Sequence, residues 1–425
     1  MRLYQLLIRL LSPLIVLLLI LDGRKRTPNA REFWRYLQQR LGWGYPTMQT
    51  DHPPIWIHCA SVGEFKAAEP LIAYLHDQQQ PLLITTNTPT AAHGIAQRFP
   101  QLNQCYLPFD WPSAIRRFLK HLDPQPEALW VVETEIWPNL FRIAHQHSIP
   151  ITLLNGRLSA KTLNAPHWLQ HTYRETLTQV DQVLVRDTKE AQRFAALGHD
   201  NIQVLPNLKF AHLANTAKLN EKSQNPQSCP AFLPKNRTFV LLASSHEDEE
   251  KQIVQRWLPL KRSELLVIVP RHSQRGRKVA KQLRALLKSP QQLALLSENS
   301  TITPETQILI VDKMHTLEAL FACAKLVIMG GSFVPKGGHN LLEPAARGKP
   351  IITGPDMSDF ESETALLKAE KGILQVEDYA QLITAITNSL ENLDQLERLG
   401  HHAQKTMQQM QQKTLMAYLK ALKIV

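Results

Sequence analysis

Short apolar runs alternate with helix-like stretches along the first half of the chain. The apolar runs predict buried parallel strands at Ile55–Cys59, Leu82–Thr85, Ala128–Val132, Ile151–Leu154 and Gln182–Val185. The stretches between and after these runs predict helices at Glu64–His76, Thr90–Phe99, Pro112–His121, Pro138–His147 and Lys189–Leu197. Regular alternation of strand and helix predicts a doubly wound α/β domain.

The same alternation begins again after residue 237. Its strands are predicted at Thr238–Ala243, Leu265–Val269, Gln307–Val311, Leu326–Met329 and Pro350–Thr353. Residues 213–235 between the two sets are polar, as a linker is, and residues 390–422 predict long terminal helices. The pattern therefore predicts two Rossmann-like α/β domains, 24–212 and 236–425, whose strand ends face each other across a cleft.

The amino terminus has a different pattern. Tyr4–Leu21 is an apolar run interrupted by Arg9, Ser12 and Pro13, and a block of Arg24, Lys25 and Arg26 follows it. Such basic blocks remain on the cytoplasmic side of a membrane and attract anionic head groups. Residues 1–23 therefore predict a membrane-anchoring helix, either a short tilted span or a monotopic insertion. A buried hydrophobic helix is the alternative.

The distribution of charge and the spacing of cysteines argue against nucleic-acid binding, a zinc site and a redox dithiol. The formal net charge is +11, and residues 1–40, with eight basic and two acidic side chains, carry more than half of it. The nearly neutral remainder does not suggest a nucleic-acid partner. The four cysteines form no Cys-x-x-Cys pair, which predicts neither a zinc site nor a redox dithiol. They are interpreted as reduced intracellular thiols, with Cys59 and Cys323 as small core residues.

Ligands of doubly wound folds bind at the carboxyl ends of strands, so the residues after each strand are the candidates for chemistry. Glu64 falls at a helix start, where the helix dipole is expected to keep its pKa low, and it is either a cap or a base. Glu133 and Glu135, two residues apart, are expected on opposite sides of an extended chain. Arg157 is an anion contact or an exposed ion-pair residue, and Lys209 is a snorkelling or a ligand-facing cation.

The second domain has glycine-rich and basic loops after its strands. Glycines at 330, 331, 337 and 338 lie before a helix predicted near Asn340, and they predict backbone N–H groups that hold a phosphate. Arg271 is suited to a phosphate and Glu343 to ribose hydroxyls. The acidic run Glu247–Glu250 is interpreted as the solvated start of a helix. No Gly-x-Gly-x-x-Gly, P-loop, His-Glu-x-x-His or Asp-x-Asp motif is present, so no metal is expected.

Seven segments together are specific to one family. They are Ser61-Val62-Gly63-Glu64, Glu133-Thr134-Glu135-Ile136-Trp137-Pro138-Asn139, Arg157-Leu158-Ser159, Leu208-Lys209-Phe210, Pro270-Arg271-His272, Gly330-Gly331-Ser332 and Gly337-Gly338-His339-Asn340. With the N-terminal apolar run and basic block, they resemble the bacterial 3-deoxy-D-manno-octulosonic acid (Kdo) transferases, glycosyltransferases of lipid A assembly. The resemblance extends from about residue 1 to residue 420.

The resemblance implies a GT-B fold and an inverting transfer of Kdo from CMP-Kdo to a lipid A precursor, lipid IVA. It implies Glu64 as general base and Glu133 and Lys209 as transition-state stabilisers. The CMP contacts that it implies are Pro270, Arg271, Met314, His315, Thr316, Asn340, Leu341, Leu342 and Glu343. The chain departs from the family pattern at Ala211, where Asp is usual, and at His315, where Gly is common.

The same resemblance implies the partners and the location. The partners are CMP-Kdo, the lipid A precursor and inner-membrane lipids, and the location is the cytoplasmic face of the bacterial inner membrane. No cofactor and no metal are expected, because CMP is a monophosphate leaving group. One alternative is a membrane-associated GT-B transferase that uses a UDP-sugar, and another is a non-catalytic scaffold that binds a nucleotide without turnover.

Overall fold

A computed structural model describes residues 2–48, 50–133, 135–212, 229–234, 236–298, 302–314 and 316–425. The chain forms two compact units: unit 1 contains Met1–His212 and Gln412–Val425, and unit 2 contains Leu213–Gln411. Each unit contains one seven-stranded sheet in which every neighbouring pair of strands is parallel. The prediction of two doubly wound α/β domains is therefore confirmed.

The sheet of unit 1 has the strand order β3-β2-β1-β4-β5-β6-β7. Its strands are β1 (Ile55–His58), β2 (Leu82–Thr86), β3 (Asn103–Tyr106), β4 (Ala128–Val132), β5 (Ile151–Gly156), β6 (Gln182–Val185) and β7 (Ile202–Val204). Its helices are α1 (Arg2–Leu10), α2 (Ser12–Arg26), α3 (Ala30–Arg40), α4 (Val62–Asp77), α5 (Pro89–Arg98), α6 (Pro112–Lys120), α7 (Pro138–Gln146), α8 (Ala160–Leu163), α9 (His167–Leu177), α10 (Thr188–Ala196) and α11 (Lys209–His212).

The sheet of unit 2 has the strand order β10-β11-β9-β8-β12-β13-β14. Its strands are β8 (Phe239–Ser245), β9 (Leu265–Pro270), β10 (Leu293–Leu295), β11 (Ile308–Ile310), β12 (Leu326–Met329), β13 (Ile351–Thr353) and β14 (Leu374–Gln375). The helices that begin in this unit are α12 (Glu249–Trp257), α13 (Gly276–Arg284), α14 (Leu317–Cys323), α15 (Leu342–Ala346), α16 (Glu361–Ala369), α17 (Tyr379–Glu391) and α18 (Leu393–Ala421).

Both faces of each sheet are covered, which explains the continuous apolar runs of the strands. In unit 1, Trp56 and Val131 belong to the core on one face, while Ile57 and Trp130 belong to the core on the other. Neighbouring strands are in register, with Ile57 opposite Ile84 and Trp130. The carboxyl ends of these strands meet at one edge, which holds the candidate residues.

The strands that the pattern did not predict are the two edge strands of each sheet, β3, β7, β10 and β14. Each has four residues or fewer. Runs of two to four residues are too short to show a strand pattern, whether the strand is partly exposed, as β7 is, or buried, as β10 is.

The N-terminal helices, predicted as an anchor at residues 1–23, are part of unit 1. The Tyr4 hydroxyl donates to the buried Asp110 carboxylate at 2.8 Å, and the Gln5 amide donates to Asn139 at 3.1 Å. Leu19 packs in a cluster with Tyr36. In the described part of the chain, no single helix has the length and apolarity to cross a membrane. Together, α1 and α2 meet both criteria, with a bend of 59° between them.

The carboxyl terminus also differs from its predicted domain. Helix α18 begins in unit 2, but Tyr418 and Leu419 near its end are fully buried in the core of unit 1. Residues 412–425 therefore belong to unit 1 rather than to a domain of 236–425. The end of unit 1 at residue 212 agrees with the prediction. Residues 213–228 and 235 of the predicted linker lie outside the described residues.

Two of the four cysteines are paired. Cys229 and Cys323 form a disulfide, with their Cα atoms 5.8 Å apart, while Cys59 and Cys105 are free and buried. The interpretation of all four as free thiols is therefore wrong for this pair. Their 94-residue separation in sequence carries no signal of their contact.

Candidate active site

Glu64 lies in the first turn of α4, directly after β1. Its backbone N–H donates to the hydroxyl of Ser61, the residue that caps the helix, and its own carboxylate accepts the N–H of Ala60. This reciprocal arrangement is close to a capping box, which holds a carboxylate in one orientation. Glu64 is therefore both a helix cap and a fixed, partly exposed carboxylate at the carboxyl edge of the sheet.

The pKa of Glu64 is raised from its ordinary value to about 7. Burial is the largest cause, and the negative charges of Glu135 and Glu133 add to it, while the hydrogen bonds from Ala60 and Ser61 oppose it. The expectation of a low pKa is wrong, because loss of hydration and like charges outweigh the stabilisation at a helix start. A carboxylate with a pKa near the working pH is suited to general-base catalysis.

Glu133 and Lys209, the two residues that the resemblance implied as transition-state stabilisers, form an ion pair. The Lys209 ammonium lies 3.0 Å from the Glu133 carboxylate, and the Glu133 side chain is mostly buried. Glu133 has a left-handed backbone with φ of 63°, so the chain is not extended there. Both Glu133 and Glu135 act on Glu64 electrostatically, although Glu133 pairs with Lys209 and Glu135 accepts from Asn87. Lys209 begins α11 rather than ending a strand.

Arg40 is a member of this site that the sequence did not indicate. Its guanidinium is buried and donates to Asn87 Oδ1 and to the Leu107 carbonyl, both at 2.6 Å. Asn87 in turn donates to Glu135 at 3.4 Å. In the sequence, Arg40 contributes to the positive charge of residues 1–40. In the structure, its hydrogen bond to Asn87 connects it to Glu135. Burial still raises the pKa of Glu135.

Arg157 and Cys59 have simpler surroundings. Arg157 follows β5 and is exposed. Cys59 is fully buried beside the catalytic candidates, and burial, Glu64 and Glu133 raise the pKa of its thiol. Cys59 is therefore an uncharged core residue, as predicted.

A cavity of about 330 Å³ in unit 2 brings together several of the residues assigned to CMP. Pro270, Arg271, Met314 and Thr316 all line it. Arg271 is exposed there, and its backbone N–H donates to the Ser245 carbonyl at 3.0 Å. His315 lies outside the described residues. The cavity has the size and mixed lining of a small-molecule site.

The glycine loop of unit 2 is closed around a buried carboxylate. Glu249 accepts the backbone N–H groups of His246 and Gly331 at 2.8 Å and of Phe333 at 3.1 Å. Gly330 and Gly338 donate to backbone carbonyls, and Gly337 donates to Asp356. The prediction that these glycine N–H groups form a free phosphate seat is therefore wrong.

Glu249 and Glu250 are also not the solvated residues that were predicted. Their exposed fractions are 0% and 3%. Glu250 pairs with Arg275 at 3.0 Å and accepts the Ser245 hydroxyl at 2.8 Å. Glu247 and Asp248 fit the prediction, since Asp248 is exposed at the helix start and Glu247 forms an exposed ion pair with Lys278. The carboxylates of Glu249 and Glu250 accept hydrogen bonds from the loop residues, and these bonds compensate the cost of burying the two side chains.

Positive groups remain at this loop. His246 and His339 stack at 5.0 Å and share a hydrogen bond of 2.8 Å between their Nε2 atoms. Burial lowers the pKa of both, and that of His339 falls to about 4, with His246 and Arg271 as further causes. Lys336 also lowers the pKa of His246. Both imidazoles are neutral at pH 7, and Arg271 and Lys336 provide the positive potential.

The segment Asn340–Glu343 lies at the start of α15 and does not line the cavity. Asn340 accepts the Leu342 N–H at 3.1 Å and donates to Glu343 at 3.2 Å. Leu341 and Leu342 are buried, while Glu343 is exposed. The helix predicted near Asn340 is α15, which begins at Leu342 and has only five residues. A helix this short has a small dipole.

Two parallel-sheet α/β units with candidate residues at their strand ends resemble the GT-B glycosyltransferases in fold. The crystal structure of UDP-GlcNAc 2-epimerase from Neisseria meningitidis has a TM-score of 0.61, with 14% identity, 88% of this chain covered and 100% of that chain covered. At this identity the likeness concerns the fold alone.

The profile of one family, described as 3-deoxy-D-manno-octulosonic-acid transferase (kdotransferase), matches residues 35–212. A 3-deoxy-D-manno-octulosonic acid transferase of Haemophilus influenzae is 31% identical over 380 residues, covering 86% of this chain and 87% of that protein. That of Bordetella pertussis is 32% identical over 321 residues, covering 72% of each. The chain belongs to this family: it is a glycosyltransferase that transfers Kdo in lipopolysaccharide biosynthesis.

Proposed function

We propose that this enzyme transfers Kdo from CMP-Kdo to a lipid A precursor, lipid IVA, with inversion at the anomeric carbon. Glu64 is the general base. The observation that carries this proposal is the Glu64 carboxylate itself, which is fixed by Ser61 and Ala60 and has a pKa of about 7. Such a group is partly ionised at neutral pH and gains a proton readily.

In the proposed reaction, an acceptor hydroxyl attacks the anomeric carbon of Kdo while Glu64 takes its proton. The bond from that carbon to the phosphate oxygen breaks on the opposite face, and CMP leaves with the electron pair. Lys209, held at 3.0 Å by Glu133, offsets negative charge that develops in the transition state. The products are the Kdo-bearing lipid, CMP and protonated Glu64, which then returns its proton to solvent.

The cavity of unit 2 is the proposed donor site. Pro270, Met314 and Thr316 line the part assigned to cytidine, and Arg271 is the proposed phosphate contact. Since Glu249 occupies the glycine-loop N–H groups, stabilisation of the leaving phosphate is assigned to side-chain cations. His315, Asn340, Leu341, Leu342 and Glu343 stay in the proposed CMP site on the resemblance alone. We propose no metal for this step, so a chelator should leave the rate unchanged.

The N-terminal helices support a membrane-bound location at the cytoplasmic face of the inner membrane. Leu10, Leu14, Leu17, Leu18 and Leu21 all have at least half of their surface exposed. Leu14, Leu17, Leu18 and Leu21 are spaced as one face of α2, Leu10 ends α1, and Arg24, Lys25 and Arg26 follow at the end of α2. Helices that dock on unit 1 while exposing leucines favour monotopic insertion over a span.

The test is to incubate the full chain with CMP-Kdo and tetra-acylated lipid IVA and to analyse the product by mass and by anomeric configuration. We expect a mass gain of whole Kdo units and inversion. Use of a UDP-sugar in place of CMP-Kdo would favour the alternative GT-B transferase. Retention of configuration would contradict Glu64 as a base in a single displacement, and binding of CMP-Kdo without product would favour the scaffold.

A further inference from the structure

A groove of about 770 Å³ lies where helices α1 and α2 pack near the start of α6. Pro13, Val16, Trp111 and Pro112 contribute apolar surface to its lining, and Arg9 and Arg116 add two guanidinium groups. All of these residues belong to unit 1. A groove with an apolar lining and cationic side chains is suited to an amphiphile with an anionic head group.

The charge of the groove is uncompensated. Arg9 and Arg116 are exposed, and neither forms a salt bridge in the part of the chain that the structure describes. Arg142 lies close enough to Arg116 for the two cations to repel each other. The nearby acid, Asp110, is buried and already accepts from Tyr4, Asn139 and Leu140. A phosphate would supply the missing negative charge.

The groove lies at the same carboxyl edge of the unit 1 sheet as the catalytic candidates, because α6 follows β3 there. The Trp111 ring contacts Phe109 at 5.0 Å, and Phe109 contacts Trp137 at 6.3 Å. The Arg40 guanidinium also lies over the Phe109 ring, at 6.0 Å. Through Asn87, Arg40 leads to Glu135, whose charge acts on Glu64. An amphiphile held here therefore lies at the edge of the sheet that also carries the proposed base.

The groove also opens at the helices that expose the leucine face. On α2, Ser12, Pro13 and Val16 line the groove, whereas Leu14, Leu17, Leu18 and Leu21 lie on another side of the same helix and are exposed. One side of the helix pair therefore lines the groove while a different side is exposed. A lipid leaving the bilayer can enter the groove without crossing the protein core.

We propose that this groove binds the phosphorylated, acylated glycolipid acceptor. An acyl chain lies against Pro13, Val16 and Trp111. The phosphate binds Arg9 and Arg116. This deepens the proposed function and rests on it, because the acceptor is the amphiphile that must reach Glu64. A membrane phospholipid shares the acyl and phosphate chemistry but has no reason to lie beside the catalytic edge. It is therefore the competing occupant in the test.

The kinetic test uses the full chain in detergent micelles, so that recruitment to vesicles does not limit the rate. Arg9→Gln and Arg116→Gln together should raise the acceptor KM at least about tenfold, because charge-assisted contacts are lost. The donor KM should not change. The variant should also lose its preference for the phosphorylated acceptor over the same glycolipid without phosphate. Arg31→Gln, an exposed cation on α3, is the matched control.

A second pair of variants tests the proposed contact between the acyl chain and Val16. Val16→Trp fills the groove and should reduce kcat/KM for the acylated acceptor but not for its deacylated form. Leu17→Trp, at the adjacent exposed position, should reduce neither. Equal behaviour of the two tryptophan variants, or an unchanged acceptor KM in the double arginine variant, would overturn the proposal.

A binding measurement makes the proposal independent of turnover. A phosphorylated glycolipid with a photoreactive acyl chain should label the peptides that contain Pro13, Val16 or Trp111. Excess unlabelled glycolipid should compete, and phosphatidylglycerol should not. Labelling confined to the exposed leucines, or equal competition by phosphatidylglycerol, would contradict the groove assignment. If the wild type labels in the groove but transfers no Kdo, the proposed function fails while the binding site stands.

Discussion

At the residue scale, the fold sets the protonation of Glu64, the proposed base. Its surroundings combine one helix cap, two nearby carboxylates and partial burial, and each of these contributes to its pKa of about 7. The sequence position identified the residue, but its protonation depends on Glu133 and Glu135, which reach it through the fold. Two predictions follow from this arrangement.

Glu64→Gln should lower kcat about 10²–10⁴-fold, because the amide retains the shape and one acceptor oxygen but cannot take a proton. Binding of CMP-Kdo and the melting temperature should stay close to those of the wild type. Single-turnover rates and thermal melts on one preparation measure both. A rate within a few-fold of the wild type, with stability reduced by about 1 kcal/mol, would make Glu64 a helix cap alone.

The pH dependence of kcat/KM should follow the ionisation of Glu64. A base must be deprotonated, so the rate should fall about tenfold per pH unit below a pKa of about 7. Glu135→Gln removes a negative charge that raises this pKa, so the acidic limb should move to lower pH. Lys66→Gln, an exposed residue on the same helix, is the control. An unmoved limb in Glu135→Gln would show that Glu135 does not act on the base.

At the element scale, buried polar contacts decide which helices belong to which unit. Asp110 accepts the backbone N–H groups of Asn139 and Leu140 at the start of α7, and it also accepts the Tyr4 hydroxyl. Burial raises the pKa of Asp110 to about 6 despite these donors. This one carboxylate joins α1 to α7, and no local sequence pattern connects residues 4 and 110.

Tyr4→Phe should therefore destabilise unit 1 by about 1–3 kcal/mol, since a hydrogen bond to a buried carboxyl group is lost. Denaturant unfolding of the full chain measures this change. Leu6→Ser, on the exposed side of α1, should leave stability almost unchanged. If the two variants are equally stable, the contact of α1 with Asp110 contributes nothing to the fold.

The edge strands show the same limit of local pattern. The central strands were predicted within one or two residues because burial on both faces requires continuous apolar runs. The edge strands β3, β7, β10 and β14 are short, and their pairing comes from a neighbouring strand rather than from their own composition.

At the scale of the whole molecule, the exposed leucines of α1 and α2 and the basic block form the surface that we propose meets the membrane. Leu14, Leu17 and Leu18 project from this side. Replacing all three with Ser should reduce the fraction bound to anionic vesicles at least about tenfold, since each leucine loses a favourable apolar contact. The melting temperature should hardly change.

Leu19→Ser is the informative comparison for that variant. Leu19 is buried in a cluster with Tyr36 and Leu37. Its replacement by Ser should lower the melting temperature, because it leaves a cavity and buries a hydroxyl group. Sedimentation with vesicles measures binding, and a thermal scan measures stability. Unchanged vesicle binding of the triple variant would contradict monotopic insertion through this face.

The sequence by itself determined the two α/β units, the central strands, the positions of Glu64, Glu133, Lys209 and Arg271 after strands, and the family. These depend on local periodicity and on short motifs, which neighbouring residues encode. Only the tertiary structure decided the raised pKa of Glu64, the burial of Glu249 and Glu250, and the inclusion of the two chain termini in unit 1. Burial and electrostatic coupling join residues far apart in sequence, so a linear pattern carries no measure of either.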